Sequence, residues 1–176
     1  MFDFLRRTKP PVALRPTLER DERILTWAST STEGVVVVTN RGLWLPGLHR
    51  LGWHEIIKAV WSGRELTVIA GRVAEERDGY TVVVDEPAIS TLLLAPGHVP
   101  HQVQVRVMKS VAITTHHPLA GGGGARVVAR RVSGVDGLRW TVRYDPGTPF
   151  DDAEVRAWTD ELVAHARRDA EAAAPR

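Results

Sequence analysis

Four histidines lie close together in the second half of the chain, and histidine is a common side chain for metal binding and acid–base chemistry. They are His98, His101, His116 and His117. The two-residue gap between His98 and His101 occurs in zinc sites. No acidic residue lies between positions 87 and 135 to act as a further ligand or to orient a ring. We therefore predict solvated loop histidines, no metal site and no cofactor.

Other catalytic patterns are equally weak. The chain has no cysteine and no Gly-x-Ser-x-Gly motif. Asp85 and Glu86 are adjacent at a predicted strand end, so their side chains point to opposite faces and are poor partners in acid–base work. The glycine run at 121–124 lacks the Lys-Ser/Thr of a phosphate-binding loop. We predict that the chain is not an enzyme.

Arginines crowd a predicted β-hairpin over residues 125–144. Leu138, Trp140, Val142 and Tyr144 share one strand face, so burial of that face directs Arg139 and Arg143 outward. Arg126 and Arg130 share one face of the other strand. Arginine binds phosphate groups in a bidentate manner, although Trp140 lies on the core side and leaves no exposed aromatic ring for base stacking. These four arginines are candidate partner-binding residues, and nucleic-acid binding is an alternative function.

Trp44 is the fifth candidate partner-binding residue. It alternates with Leu43 and Leu45, so either the tryptophan or the leucine pair faces outward. An exposed tryptophan at this position would be an interface anchor.

The elements that position these residues begin with short strands separated by turn residues. Seven strands are predicted, at residues 24–28, 35–39, 43–45, from 60, 65–70, 80–84 and 89–94. Trp53, Ile56 and Ile57 have the spacing of one helical turn. The four-residue recurrence of Val99, Val103, Val107 and Val111 favours a helix over roughly 99–110, followed by a strand through Ile113. The alternative is a strand, since Val103, Val105 and Val107 also alternate. The close spacing of the seven short strands, with turn residues between them, indicates a small antiparallel barrel or sandwich.

The C-terminal part reads as a separate module. The run Gly121–Gly124 is predicted to be a flexible joint, followed by the hairpin and a helix that ends near Ala172. Asp151 is the predicted N-cap, with Glu154 completing a capping box. Trp158 occupies the middle of an apolar stripe that anchors the helix.

Composition and the N-terminus narrow the function classes. The chain has 176 residues and a formal net charge of +2, with no apolar run long enough to span a membrane and no signal-peptide pattern. A cytoplasmic protein is therefore expected. Residues 1–20 read as an extended tail because of Pro10, Pro11 and Pro16. Phe2, Phe4, Arg6 and Arg7 within it could make weak membrane contact, which is a second alternative.

Two stretches resemble bacterial pleckstrin-homology-like (PH-like) domains. Residues 39–45, Thr-Asn-Arg-Gly-Leu-Trp-Leu, resemble a hairpin common in those domains. Trp53-His54-Glu55-Ile56, followed by Val60-Trp61 and Leu66-Thr67-Val68, resembles their Trp-x-x-Ile … Val … Leu-x-Val stretch. The resemblance covers roughly residues 21–114. It extends to actinobacterial proteins that have the same two-part layout and no assigned activity.

Together with the residue patterns of the two ends, the resemblance implies an α+β, mostly β fold in three parts. These are an extended tail (1–20), a PH-like seven-stranded antiparallel barrel with a closing helix (21–117), and a β-hairpin-plus-helix module (118–176). Phosphoinositide-binding members place basic residues around the first hairpin, whereas residues 29–34 contain an acid and no base, which argues against inositol-lipid recognition. We expect a non-catalytic binding or scaffold protein that docks a protein or peptide partner.

Overall fold

The fold is mixed α+β and mostly β in a computed structural model that describes residues 9–173. This agrees with the predicted class. The described part contains eleven strands and two α-helices. The strands are β1 (Ile24–Ser29), β2 (Val35–Thr39), β3 (Gly42–Trp44), β4 (Arg50–Gly52), β5 (Ile56–Trp61), β6 (Glu65–Arg77), β7 (Tyr80–Asp85), β8 (Ile89–Leu92), β9 (Val111–Pro118), β10 (Gly124–Arg131) and β11 (Leu138–Tyr144). The helices are α1 (Val99–Ser110) and α2 (Ala153–Ala173).

The chain divides into two compact units. Within the described residues, unit 1 comprises 9–72, Asp85–Ser110 and Arg131–Gly137. Unit 2 comprises Val73–Val84, Val111–Arg130 and 138–173. β6 begins in the first unit and ends in the second. The boundary predicted between residues 117 and 118 falls inside β9.

Unit 1 contains two antiparallel sheets followed by a helix. β1, β2, β3 and β4 pair in chain order, and the first half of β6 pairs with β5 on one side and β8 on the other. The end of β1 meets the end of β8 through a bridge between Thr30 and Leu93. The backbone N–H of Leu94 also donates to the Ser29 carbonyl at 2.9 Å. These contacts join the two sheets along one side.

The core of unit 1 explains the continuous β-branched sequence of β2. All five residues of this strand are buried. Val36 and Val38 belong to the main core cluster, together with Leu43, Ile56 and Val103 of α1. A strand covered on both faces has no need for a polar alternate position, which accounts for the uninterrupted valines.

One detail of unit 1 differs from the sequence prediction, and another agrees. The predicted helical turn is a short 3-10 turn at Trp53–Glu55, with β4 directly before it and β5 directly after it. The turn is held by the Glu55 carboxylate, which accepts from the Gly52 N–H at 2.5 Å. In contrast, the helix predicted over 99–110 is confirmed as α1.

Unit 2 is a sheet with one helix on its face. The strand order is β6-β7-β11-β10-β9, and β11 runs parallel to β7 through the pairs Thr141–Thr81 and Val142–Val82. Val82, Val127, Trp140 and Val142 are buried in one cluster with Val163 of α2. The predicted core face of β11 is therefore confirmed for Trp140 and Val142, whereas Leu138 is 37% exposed.

The glycine run is a hairpin turn rather than a flexible joint. Gly124 pairs with Pro118, and the Leu119 N–H donates to the Gly123 carbonyl at 3.0 Å. Gly122 and Gly123 have positive φ angles of 102° and 78°, a backbone conformation that favours glycine. The glycine run therefore forms the tight turn that connects β9 to β10 within unit 2.

The start of α2 differs from the prediction by one residue. Asp152, not Asp151, caps the helix: its Oδ1 accepts from the N–H of Glu154 at 2.7 Å and of Val155 at 3.3 Å. The most buried residues of the helix are Val155, Thr159 and Val163, and Trp158 flanks them as a half-buried residue. Neither α1 nor α2 is long and apolar enough to cross a membrane, and these are the α-helices of residues 9–173.

Asp152→Ala should destabilise the protein by about 1 kcal/mol, because the first N–H groups of α2 lose their side-chain acceptor. Asp151→Ala is the matched control, since it removes the same charge one residue earlier, and it should change stability by less than about 0.5 kcal/mol. Urea unfolding followed by circular dichroism measures both. A larger effect for Asp151→Ala would show that the cap is assigned to the wrong aspartate.

Candidate functional site

Trp44 faces away from the core of unit 1. Its neighbours Leu43 and Leu45 are buried at 0% and 3% exposure, which settles the alternative that the sequence left open. Because successive side chains of a strand point to opposite faces, the indole lies on the other side of β3 and remains partly exposed. The residue is therefore available for contact with a partner.

A buried carboxylate holds the Trp44 indole in place. Glu22 Oε1 accepts from the indole N–H at 3.0 Å and from the Thr39 hydroxyl at 2.7 Å. Its other oxygen, Oε2, accepts from Arg50 Nη1 at 2.7 Å. The Glu22 side chain is fully buried. A charged group in this position must be satisfied by several partners, and β2, β3 and β4 each provide one.

A second carboxylate extends the network to the surface. Glu19 accepts from Arg41 Nη1 at 2.5 Å and from Arg50 Nη2 at 2.9 Å. The Glu19 N–H also donates to Glu22 Oε2 at 3.2 Å. Arg50 is thus shared by two carboxylates that are three residues apart. This network was not predicted from the sequence, although two acids three residues apart just before β1 are its visible signal.

The ionisation of this network follows from its contacts. Burial acts to raise the pKa of Glu22, but the hydrogen bonds from Thr39 and Trp44 and the charge of Arg50 outweigh it, so the pKa lies below its ordinary value of 4.5. Burial likewise acts to lower the pKa of Arg50, and the bonds to Glu19 and Glu22 raise it overall. Both groups are therefore charged at neutral pH.

The face of Trp44 opens onto an apolar groove with a volume of about 240 Å³. Its lining residues are Leu14, Pro16, Gly34, Val35, Val37, Trp44, Leu45, Pro46, Gly47 and Leu48. The set contains no charged side chain. A Cβ at Gly34 would come within 2.9 Å of the Pro46 Cβ, so Pro46 rests directly on the backbone of the β1–β2 turn. Leu14 and Leu48 are each 42% exposed at the mouth of the groove.

One wall of the groove is an irregular segment of the same chain. Residues 9–17 contain a single 3-10 turn at Val12–Leu14 and no strand. Leu14 and Pro16 from this segment line the groove beside Trp44. The groove beside Trp44 therefore already has a leucine and a proline, two residues apart in the chain, in one of its walls.

The hairpin arginines are not equivalent in the structure. Arg126 and Arg139 are exposed, and Arg143 is half-buried. Arg130 is only 8% exposed, and its burial lowers its pKa. Arg130 was predicted to share one strand face with Arg126, yet only Arg126 is exposed. Residues 127–130 are all buried, so both faces of β10 are covered there, and the pairing with β9 shifts between Ala129 and Arg130.

The histidines divide between the two units. His98 and His101 lie at the start of α1 and are exposed. On β9, His116 Nε2 lies 2.6 Å from Asp145 Oδ2, and His117 Nε2 lies 3.0 Å from the Thr115 hydroxyl. Among residues 9–173, no three histidine, cysteine or acidic side chains are grouped so that they could hold a metal ion.

Unit 2 contains a polar cluster that the sequence analysis also missed. The Arg77 guanidinium, with a side chain only 6% exposed, donates from Nη1 to the hydroxyls of Tyr80 and Tyr144, both at 3.0 Å, and from Nη2 to Glu75 at 2.9 Å. The Tyr80 hydroxyl donates to Asp160 at 2.6 Å. Burial, followed by the bond to Asp160, raises the pKa of Tyr80.

This cluster borders a cleft of about 510 Å³, which Arg156 and Arg167 also line. Arg156 donates to the same Glu75 carboxylate at 2.6 Å. Most polar atoms of the cluster are therefore used in bonds to one another. Such an arrangement stabilises the contact of α2 with β6 and β7 and leaves few groups for a ligand.

No protein-family model, curated protein or solved structure matches this chain. The assignment of a function therefore depends on the geometry of the sites alone.

Glu22→Gln should lower stability at pH 7 by about 2 kcal/mol, because Arg50 and the Trp44 indole lose a charged acceptor. A group whose pKa is depressed by folding stabilises the protein above its unfolded pKa and loses that contribution as the pH falls through the folded value. The stability difference between the wild type and the variant should thus shrink below about pH 4.5, the ordinary value. Urea midpoints between pH 7 and pH 3 measure it.

Glu65→Gln is the control, since Glu65 is exposed and forms no ion pair with another residue of the described chain. Its stability difference should stay near zero over the same pH range. A Glu22→Gln difference that is constant with pH would contradict the ionised state of Glu22.

Proposed function

We propose that this chain is a non-catalytic binding protein in which unit 1 docks an extended peptide segment of a protein partner against Trp44. The observation that carries the proposal is the combination of a fixed indole and an open apolar groove. The indole is immobilised by Glu22 before any partner arrives, so little side-chain entropy is lost on binding. An aromatic anchor in an apolar pocket is a common source of affinity at interfaces.

The fold supports this role. We propose that unit 1 is a PH-like domain: a four-stranded meander, a three-stranded sheet of β5, β6 and β8, and a helix directly afterwards. On this assignment, the seven strands are β1 to β6 and β8, and the segment Val73–Val84, which holds the end of β6 and nearly all of β7, is an insertion between β6 and β8. The fold is consistent with many functions, so the groove and not the fold carries the functional proposal.

The chemistry of the groove defines the class of peptide. Its lining has no charged side chain, and Leu14 and Pro16 of the chain already occupy one wall. Extended segments with proline dock readily in aromatic-lined grooves because their backbone is already restricted. We therefore propose a partner segment that carries a proline and a bulky aliphatic residue two positions apart.

Selection from a random peptide library on phage tests this proposal. Enriched peptides should carry the proline–aliphatic spacing, and Leu48→Ser should weaken their binding about tenfold, because part of a leucine contact is worth about 1.4 kcal/mol. Leu94→Ser is the matched control, since Leu94 is 64% exposed in unit 1 and lies outside the groove. Equal binding to Leu48→Ser and the wild type, or no enriched peptide at all, would contradict docking in this groove.

Nucleic-acid binding through the unit 2 sheet is the second candidate. The Asp145 N–H donates to the Gly124 carbonyl, and the Thr141 hydroxyl donates to the Val128 carbonyl. Both contacts imply the same antiparallel register, which places Arg143 opposite Arg126. Two neighbouring guanidinium groups on a sheet face suit adjacent phosphates.

The salt dependence of RNA binding measures this second function. Each phosphate contact contributes about −0.7 to the log–log slope of affinity against salt for a single strand, so Arg126→Ala should flatten the slope by about that amount. Arg64→Ala, at an exposed position in the β5–β6 turn, should leave the slope unchanged. Absence of salt-sensitive binding by the wild type would eliminate this candidate.

A further inference from the structure

Two arginines of unit 1 lie on neighbouring elements, and neither is paired with an acidic side chain of the described residues. Arg23 precedes β1, and Arg106 lies in the C-terminal half of α1. Within residues 9–173, neither side chain forms an ion pair, and the Nε of Arg106 is buried without a hydrogen-bond partner. Burial, followed by the charge of Arg23, lowers the pKa of Arg106. Such an arrangement is unfavourable unless an anion neutralises it.

The backbone around these arginines is well fixed. The Arg23 N–H donates to Asn40 Oδ1 at 2.7 Å, and the Asn40 N–H donates to the Arg23 carbonyl at 3.2 Å. The Ser133 hydroxyl donates to the Asn40 carbonyl at 3.2 Å, which brings the 131–137 segment to the same turn. Arg106 is placed by its helix, since the preceding turn carries the buried Val103. The bonds of Arg23 fix the start of β1, and α1 packs against β1, so the two elements that carry the arginines are held next to each other.

Two further cations lie beside the pair. Lys109 is three residues after Arg106, on the same side of α1. Arg131 Nη1 donates to the Lys109 carbonyl at 3.3 Å, which brings a fourth cation to the end of the helix. Lys109 forms no ion pair in the described part of the chain. By contrast, the nearby Arg41 is neutralised by Glu19 and Asp21.

We propose that Arg23 and Arg106, supported by Lys109 and Arg131, bind a phosphate group. Phosphate fits better than a carboxylate because a dianion with several oxygens can accept from both guanidinium forks at once. This site is separate from the Trp44 groove, since none of its four residues lines that groove. The proposal therefore stands whether or not unit 1 binds a peptide.

Titration calorimetry with inorganic phosphate, at an ionic strength kept constant with sodium chloride, tests the proposal. The wild type should show saturable binding in the millimolar range. Arg106→Gln should weaken it at least tenfold, and Arg106→Lys should fall between the two because it keeps the charge and loses the fork. Arg64→Gln, which removes the same charge from the exposed β5–β6 turn, should bind as the wild type does.

The melting temperature of Arg106→Gln in chloride alone separates binding from folding. It should equal or exceed that of the wild type, because a like-charge contact is removed. A wild type that shows no saturable phosphate binding, or a variant that binds phosphate equally well, would overturn the proposal. In either case the arginine pair would be an uncompensated charge only.

Sedimentation with phosphatidylcholine vesicles, with and without phosphatidic acid, identifies the source of the phosphate. If the group belongs to a lipid, the wild type should sediment with the acidic vesicles and Arg106→Gln should not. If the site takes a soluble phosphate, calorimetric binding should occur without sedimentation. Sedimentation that is the same for both proteins, without calorimetric binding, would count against the site.

Discussion

The burial of one carboxylate constrains how the first strands of unit 1 pair with one another. The Glu22 side chain has no exposure to solvent, and an ion removed from water costs several kcal/mol unless its partners replace the lost hydration. The partners come from β2 through Thr39, from β3 through Trp44 and from β4 through Arg50. A shift of any of these strands by one residue would turn a partner to the opposite face and leave the charge unsatisfied. The ion therefore specifies the register of the meander as well as the orientation of the indole.

Unit 2 also contains a nearly buried charged group, but there it is a guanidinium and not a carboxylate. Arg77 is nearly buried, and its guanidinium is held by two tyrosine hydroxyls and by Glu75. The consequence for binding differs. In unit 1 the Glu22 carboxylate is buried, and the Trp44 indole remains partly exposed beside the apolar groove. In unit 2 most polar atoms bind one another, although the cleft beside them is larger. The volume of a cleft alone therefore does not identify the better docking site. The better guide is whether the groups that line the cleft are already bonded to one another.

Local patterns predicted the elements well, because the forces that form them act over a few residues. The valines of β2, the helix over 99–110 and the buried face of β11 were visible as periodicity. Neither network was visible in that way. Glu22 bonds to residues 17 and 28 positions away, and Arg77 bonds to a tyrosine 67 positions away. Sequence patterns assign charged residues to the protein surface, and only the tertiary fold shows which of them are buried. The burial of Arg130 was likewise not visible in the sequence.

The two proposed sites of unit 1 depend on the same short segment. Glu22 and Arg23 are neighbours, and their exposure is opposite: the carboxylate is buried, whereas the arginine is exposed. Glu22 connects this segment to Trp44, while the bonds between Arg23 and Asn40 connect it to the turn after β2. The carboxylate therefore supports both the peptide groove and the cationic group without contacting either ligand. Leu48 and Arg106 each belong to one site only. Coupling between the two sites requires an element that both ligands bias, and the 22–23 segment has direct bonds toward both.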